Sequence, residues 1–129
     1  MLEEVKNASQ NEEHLARRIF VDEYFVLFVW YYKPEMTIKG FQLCYDIGNN
    51  EHAVTWQDHA GFTHNRIDSG RWKNQTPLLV ADGIIPIDMI TARFKMANTA
   101  LDAELNEFIL SKLGELQQEA GSEYQNYQR

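Results

Sequence analysis

The segment that most restricts the fold of this chain is an apolar run near its beginning, Ile19–Tyr32. It reads IFVDEYFVLFVWYY, and β-branched and aromatic residues, which favour strands, dominate it. From Tyr24 to Trp30 both alternating sets of side chains are apolar, whereas a strand with one wet face alternates with polar residues. The run therefore predicts one central strand that is covered on both faces, by helices, by a second sheet or by another copy of the chain.

Turn-forming residues divide the neighbouring sequence into further short elements. Gly, Pro, Asn and Asp punctuate the chain after each extended segment. A short helix is expected around Asn11–Arg18, before the apolar run. The strands predicted after it are Thr37–Asp46, Glu51–Gln57, Phe62–Ile67 and Pro77–Ala81.

The last third of the chain has helical periodicity. Apolar residues recur at helical spacing within Ile87–Ala97 and again within Ala100–Glu119, and Gly121 is placed to end the second helix. Strands followed by helices are typical of an α+β protein. We therefore expect an antiparallel β-meander of about five strands with the C-terminal helices packed on one face.

Length and composition bound the number of domains. The chain has 129 residues, of which 44% are hydrophobic and 24% charged, an ordinary globular composition. Two cores would each be too small to hide their apolar surface. We expect one domain over residues 1–129, with flexible ends at 1–10 and 121–129.

Charge and cysteine content exclude several classes of protein. A net charge of −7 argues against nucleic acid as the main partner, because phosphate binding needs a positive face. The apolar run is too short and too interrupted by acids to cross a bilayer, and the polar first residues do not resemble a secretory signal. Cys44 is the single cysteine, so no intrachain disulfide and no cysteine zinc site can form. These features predict a cytoplasmic protein without a membrane partner.

The best candidate site is the sequence FTHNRIDSG, residues 62–70. In a strand, His64, Arg66 and Asp68 project from one face, and such a row suits a small anionic ligand or a proton transfer. One register of the preceding strand would add His52, Val54 and Trp56 to this face, and the other register would add Ala53, Thr55 and Gln57. The alternative interpretation is a solvated sheet face with cross-strand charge pairs.

The sequence gives little support for a metal site, a cofactor site or a cysteine nucleophile. His52, His59 and His64 lie close in sequence, but they lack the tight spacing of a metal motif, so no metal is predicted. The seven glycines form neither a phosphate loop nor a dinucleotide fingerprint, so no cofactor is predicted. Cys44 is expected to be a packed thiol rather than a nucleophile. No catalytic residue is assigned.

The strand region resembles a family of small uncharacterised bacterial proteins, a domain of unknown function. The segments that carry the resemblance are FVDEYFVLFVWYY, GFQLCYD, HAVTW, FTHNRIDSG and TPLLVADG, which together span about Ile19–Gly83. The resemblance implies a bacterial source and one compact domain. It implies no activity and no catalytic residues.

Two classes of function stay open. The first is a non-enzymatic module that binds a protein partner or itself, and homodimerisation would explain a strand that is apolar on both faces. The second is a small-molecule binder or enzyme in which Arg66 holds a carboxylate or phosphate and His64 shuttles a proton. We favour the first, because no motif combines a nucleophile with a base.

Overall fold

A computed structural model describes residues 1–6, 10–68, 71–72 and 85–127 of the chain. Over these ranges the protein is a sheet followed by helices. The strands are β1 (Glu3–Glu4), β2 (Gln10–Asn11), β3 (Leu15–Val21), β4 (Phe25–Tyr32), β5 (Thr37–Tyr45), β6 (His52–Gln57), β7 (Gly61–Asp68) and β8 (Arg71–Trp72). The helices are α1 (Ile87–Ala97), a single 3₁₀ turn (Asn98–Ala100) and α2 (Ala103–Tyr127).

The sheet is an antiparallel meander. Strands β3 to β8 follow one another as hydrogen-bonded neighbours, and β1 and β2 both pair with the other edge of β3. Each connection from β3 to β7 is a short turn, which is the simplest way to join antiparallel strands. The predicted α+β class, with an antiparallel meander and C-terminal helices, is confirmed.

The helices cover one face of the sheet, which we call the inner face. On β4 this face carries Phe25, Leu27 and Val29, all essentially inaccessible to water. The Phe25 ring meets Phe94 of α1 edge to face, with centroids 6.3 Å apart. The apolar residues that recur at helical spacing in the C-terminal third form the other half of this core. Those that are buried are Ile90, Phe94, Ala97, Leu101, Leu105, Ile109, Leu113 and Leu116.

The opposite face of β3 and β4 is only partly covered. Burial along β4 alternates strictly, so the expectation that the strand is covered on both faces is wrong for this second face. The helices are all used on the inner face, and the outward side chains of β4 stay half-buried. We call the apolar residues on this side the outer apolar patch; they are Ile19, Val21, Val26, Phe28 and Trp30.

The run Ile19–Tyr32 is not one strand. A turn at Asp22 divides it between β3 and β4, and one Asp22 carboxylate oxygen accepts hydrogen bonds from the backbone N–H groups of Tyr24 and Phe25 at 2.8 and 2.6 Å. An aspartate whose side chain accepts backbone N–H groups in this way stabilises a turn that contains no glycine or proline. The helix expected around Asn11–Arg18 is also wrong, because these residues contribute to β2 and β3.

Helix α1 has the predicted bounds, but α2 does not. It begins at Ala103, after Asp102, whose carboxylate accepts the Leu105 backbone N–H at 3.4 Å. It then runs to Tyr127, past Gly121, which was expected to end it. A glycine lowers helix stability without abolishing it. The predicted strand Pro77–Ala81 lies outside the described residues.

A polar network joins the sheet to the start of α2. The Arg18 guanidinium donates to both carboxylate oxygens of Glu4 at 2.9 and 2.8 Å and to Asp102 at 3.1 Å. It also donates to the Tyr31 hydroxyl at 3.4 Å. The hydrogen bond from Arg18 lowers the pKa of Glu4. The network links β1, β3, β4 and α2 at one corner of the molecule.

Two glycine substitutions test the packing of the fold. A Cβ built on Gly40, in β5, would lie 2.5 Å from the Trp56 carbonyl oxygen, which belongs to the neighbouring strand and cannot move freely. We expect Gly40→Ala to lower the free energy of unfolding by about 1–3 kcal/mol, as overpacking does.

Gly114, within α2, has open space around it. We expect Gly114→Ala to raise the same quantity by about 0.5–1 kcal/mol.

Urea unfolding followed by circular dichroism measures both changes. Equal effects of the two substitutions would contradict the close approach of β5 and β6 at Gly40.

Candidate functional site

The register between β6 and β7 decides which candidate residues meet. His52 pairs with Arg66, and Trp56 pairs with Phe62. His52, Trp56, His64 and Arg66 therefore share one face, the first of the two registers considered from the sequence. This is the inner face, because Trp56 packs against Phe108 of α2.

Two of the candidate residues form a compact aromatic group with Tyr45. The rings of His52 and His64 are nearly parallel with centroids 5.1 Å apart, and Tyr45 stacks on each at about 6 Å. The Tyr45 hydroxyl is 2.8 Å from His64 Nε2. His52 Nδ1 lies 2.9 Å from the Asn50 carbonyl oxygen. Since a carbonyl can only accept, His52 donates from Nδ1 in this contact. We call these three side chains the histidine stack.

The histidine stack is buried. His52 and His64 are 7% and 3% exposed, whereas the sequence suggested an open polar face. Strand β6 is buried from His52 to Thr55 on both of its faces, so polar residues there lie in the interior. In such surroundings the hydrogen bond with His64 Nε2 fixes the position of the Tyr45 hydroxyl. A ligand-binding role for these residues stays a prediction.

Trp56 lies in a different environment from the stack. Its ring stacks on Phe41 and meets Phe108 edge to face, with centroids 6.4 and 5.3 Å apart. The Lys112 ammonium lies 4.5 Å from the centre of the Trp56 ring, close enough for a cation–π interaction. Trp56 therefore holds α2 on the sheet.

The remaining members of the predicted row are Arg66 and Asp68. Arg66 is exposed on β7 beside His52. The backbone of Asp68 ends β7 and pairs with Arg71, while its side chain lies outside the described part of the structure. The structure thus brings His52 and His64 together and places Trp56 under α2 and Arg66 at the surface.

Cys44 is packed, as expected. The residue is 4% exposed, and burial raises the pKa of its thiol to about 11, although a hydrogen bond from Gln42 opposes this shift. The thiolate is the nucleophilic form of cysteine. A thiol with such a pKa is a poor nucleophile at neutral pH.

Two small clefts lie outside the predicted row. One, of about 170 Å³, is lined by Arg18, Tyr31 and Asp102, whose polar groups already bond to one another. The other, of about 190 Å³, lies between the turn at Asp22 and α1 and is lined by Arg93. No sequence pattern indicated the second cleft, because Arg93 is distant along the chain from the β3–β4 turn.

The described ranges contain neither a metal-binding cluster nor a membrane-spanning helix. No group of three or more His, Cys, Asp or Glu residues there is arranged to hold a metal ion. Neither helix, over its described residues, has an apolar stretch of the length that a bilayer crossing needs.

Comparison of the chain with family models, curated proteins and solved structures gave no match. The resemblance to uncharacterised bacterial proteins therefore stays a prediction.

The raised thiol pKa makes Cys44 a reporter of unfolding. At pH 8 about one native thiol in a thousand is ionised, given a pKa of about 11. We expect iodoacetamide to label Cys44 slowly in the native protein and rapidly in urea, as mass spectrometry would measure. The unfolded thiol releases its proton first, so stability falls as pH rises from about 9 to about 11. Rapid native labelling at pH 8 would contradict this burial.

The hydrogen bond within the histidine stack can be measured by a double-mutant cycle. We expect Tyr45→Phe and His64→Gln to show a coupling of about 0.5–1.5 kcal/mol in the free energy of unfolding, the usual worth of one such bond. His59, whose side chain is 86% exposed, provides the control, and His59→Gln is expected to change little. Additive effects of Tyr45→Phe and His64→Gln would show that this bond contributes nothing.

Proposed function

We propose that this chain is a non-enzymatic interaction protein that pairs with a second copy of itself through the outer apolar patch. The observation that carries the proposal is a continuous group of half-exposed apolar side chains on the sheet face opposite the two described helices. Soluble monomers rarely leave large apolar patches in water, and such patches commonly mark protein interfaces.

The outer apolar patch is continuous across two strands. Ile19 pairs with Phe28, and Val21 pairs with Val26, so these side chains are direct neighbours on the same face. The rings of Phe28 and Trp30 are stacked, with centroids 6.0 Å apart and planes within 12°. Aromatic side chains of this kind bring large contact area at little cost in conformational entropy. The patch is therefore a preformed, fairly rigid surface.

Charge favours a second copy as the partner. The patch contains no acidic residue, although the chain carries a net charge of −7. Exposed acids such as Glu104, Glu107 and Glu115 lie on α2, on the opposite side of the sheet. Two copies that meet through their patches keep these acids apart, whereas other contacts bring like charges together. Arg17 pairs with Trp30 and borders the patch, whose apolar members can pack on the same members of a second copy, as a two-fold interface requires.

The size of the patch predicts a reversible dimer. Strands β3 and β4, spaced about 4.8 Å apart and about eight residues long, present a face of roughly 10 by 26 Å. In projection this is less than half of the ~800 Å² that each partner buries in a standard interface. We therefore expect two sheets packed face to face in a dimer that dissociates in the micromolar range.

Analytical ultracentrifugation between about 1 and about 300 µM tests the proposal, since this range brackets such a dissociation constant. We expect the sedimentation coefficient of the wild type to rise with concentration. Phe28→Glu places a charge in the centre of the interface and is expected to keep the protein monomeric. Val21→Glu, at a position that is 37% exposed and therefore tolerant, is expected to weaken the dimer as well.

The matched control introduces the same negative charge on the helices, on the side of the sheet away from the outer apolar patch. Ser111 is exposed on α2, and Ser111→Glu should leave the concentration dependence unchanged. Circular dichroism confirms that each variant is folded. A wild type that is monomeric throughout the range, or a dimer that persists in both patch variants, refutes the proposal.

A further inference from the structure

The second cleft, between the turn at Asp22 and α1, has the features of a small anion site. We call it the Arg93 cleft. We propose that it binds the carboxylate of a small apolar monocarboxylic acid, with Arg93 as the group that holds the anion. This proposal is independent of self-association, since the cleft borders α1 and the outer apolar patch lies on the face opposite the two described helices.

Arg93 is held in position by an aromatic ring. Its guanidinium carbon lies 4.1 Å from the centre of the Tyr24 ring, and the Tyr24 hydroxyl in turn contacts Met89 Sδ at 3.3 Å. A guanidinium above an aromatic ring keeps its in-plane N–H donors available, and these donors match the two oxygens of a carboxylate. Tyr24 thus supplies a rigid base for a forked donor.

The donors of Arg93 are not used by an acid within the described ranges. In the described part of the chain, no carboxylate lies within ion-pair distance of Arg93. The Arg18 guanidinium, by contrast, already bonds to Glu4 and Asp102. Of the two arginines that line these clefts, Arg93 is therefore the one whose N–H donors are available to an external anion.

The two acids of the Arg93 cleft differ in how they affect an anion. The Asp22 side chain is 4% exposed, accepts two backbone N–H groups and lies 3.6 Å from the amino group of Met1, so its charge is largely engaged. Glu23 is exposed in the turn and lines the cleft. Its carboxylate repels an anion. Removal of the Glu23 charge should therefore strengthen the binding of an anionic ligand, whereas removal of the Arg93 charge should weaken it.

Beside the amino group of Met1, the other side chains that line the Arg93 cleft are largely apolar, and the cleft is small. Phe25 and Ala97 are buried, and Met96 is 83% exposed, so its flexible thioether can fold over a bound molecule. A volume of about 190 Å³ is well below the ~300–1,000 Å³ of sites for drug-sized molecules. The cleft fits a short aliphatic or single-ring acid, and such a small ligand is expected to bind with a dissociation constant between about 0.1 and 10 mM.

Titration followed by ¹H–¹⁵N NMR tests the proposal, with butyrate and benzoate as probes and benzamide as the neutral analogue of benzoate. We expect saturable shifts at Tyr24 and in α1 with both acids, and at least tenfold weaker binding of benzamide, because a charge-assisted pair is lost. Arg93→Gln should weaken benzoate binding at least tenfold, and Glu23→Gln should strengthen it severalfold.

The matched control is Lys95→Gln, at an exposed lysine of α1 that does not line the cleft, which should leave benzoate binding unchanged, whereas Arg66→Gln tests the sheet row as the alternative site. The amide spectrum shows whether each variant keeps its fold, and Arg93→Lys, which keeps the charge but loses the fork, should give intermediate affinity. Benzoate binding that is equal in wild type and Arg93→Gln, equal binding of benzamide, or no saturable shift refutes the site. Loss of binding in Arg66→Gln alone would instead place the anion on the sheet row.

Discussion

The contact between the inner side chains of β4 and the apolar stripes of the two helices supports the rest of the structure. Phe25, Leu27 and Val29 are almost fully inaccessible, as are Leu105 and Ile109 opposite them. Burial of each such side chain contributes about 1.5–3 kcal/mol, far more than any surface ion pair. The Arg18 network and the Lys112–Trp56 contact lie at the edges of this layer and orient α2 on a sheet that hydrophobic burial already holds.

The same contact makes the two faces of the sheet different. The helices occupy the inner face, so the histidines on that face become interior groups instead of a solvated row. On the other face, Phe28 and Trp30 retain partial contact with water, and this leaves an apolar surface. The packing of the helices thus explains both why the predicted anion row is divided and why one sheet face keeps partly exposed apolar side chains.

Elements with a strong local pattern could be predicted from the sequence, and those defined by distant contacts could not. The bounds of helix α1 and of the β6–β7 hairpin were predicted within a residue or two. In both segments the spacing of the apolar residues and the positions of the turn-forming residues indicate the same bounds. The turn at Asp22 was missed, since its signal is one carboxylate that caps two backbone N–H groups between apolar strands. The Arg93 cleft was missed because Arg93 and Tyr24 are far apart along the chain.

The sequence by itself determined the class of fold, since period-two strands followed by period-3.6 helices leave few arrangements that bury both apolar surfaces. It also determined which side chains share a strand face, because alternation is a local property of the backbone. Only the tertiary structure decided which face meets the helices, and with it the burial of His52 and His64 and the partial exposure of Phe28. The physical reason is that β4 is apolar on both sides, so local hydrophobicity cannot choose between them and the choice falls to packing across the whole chain.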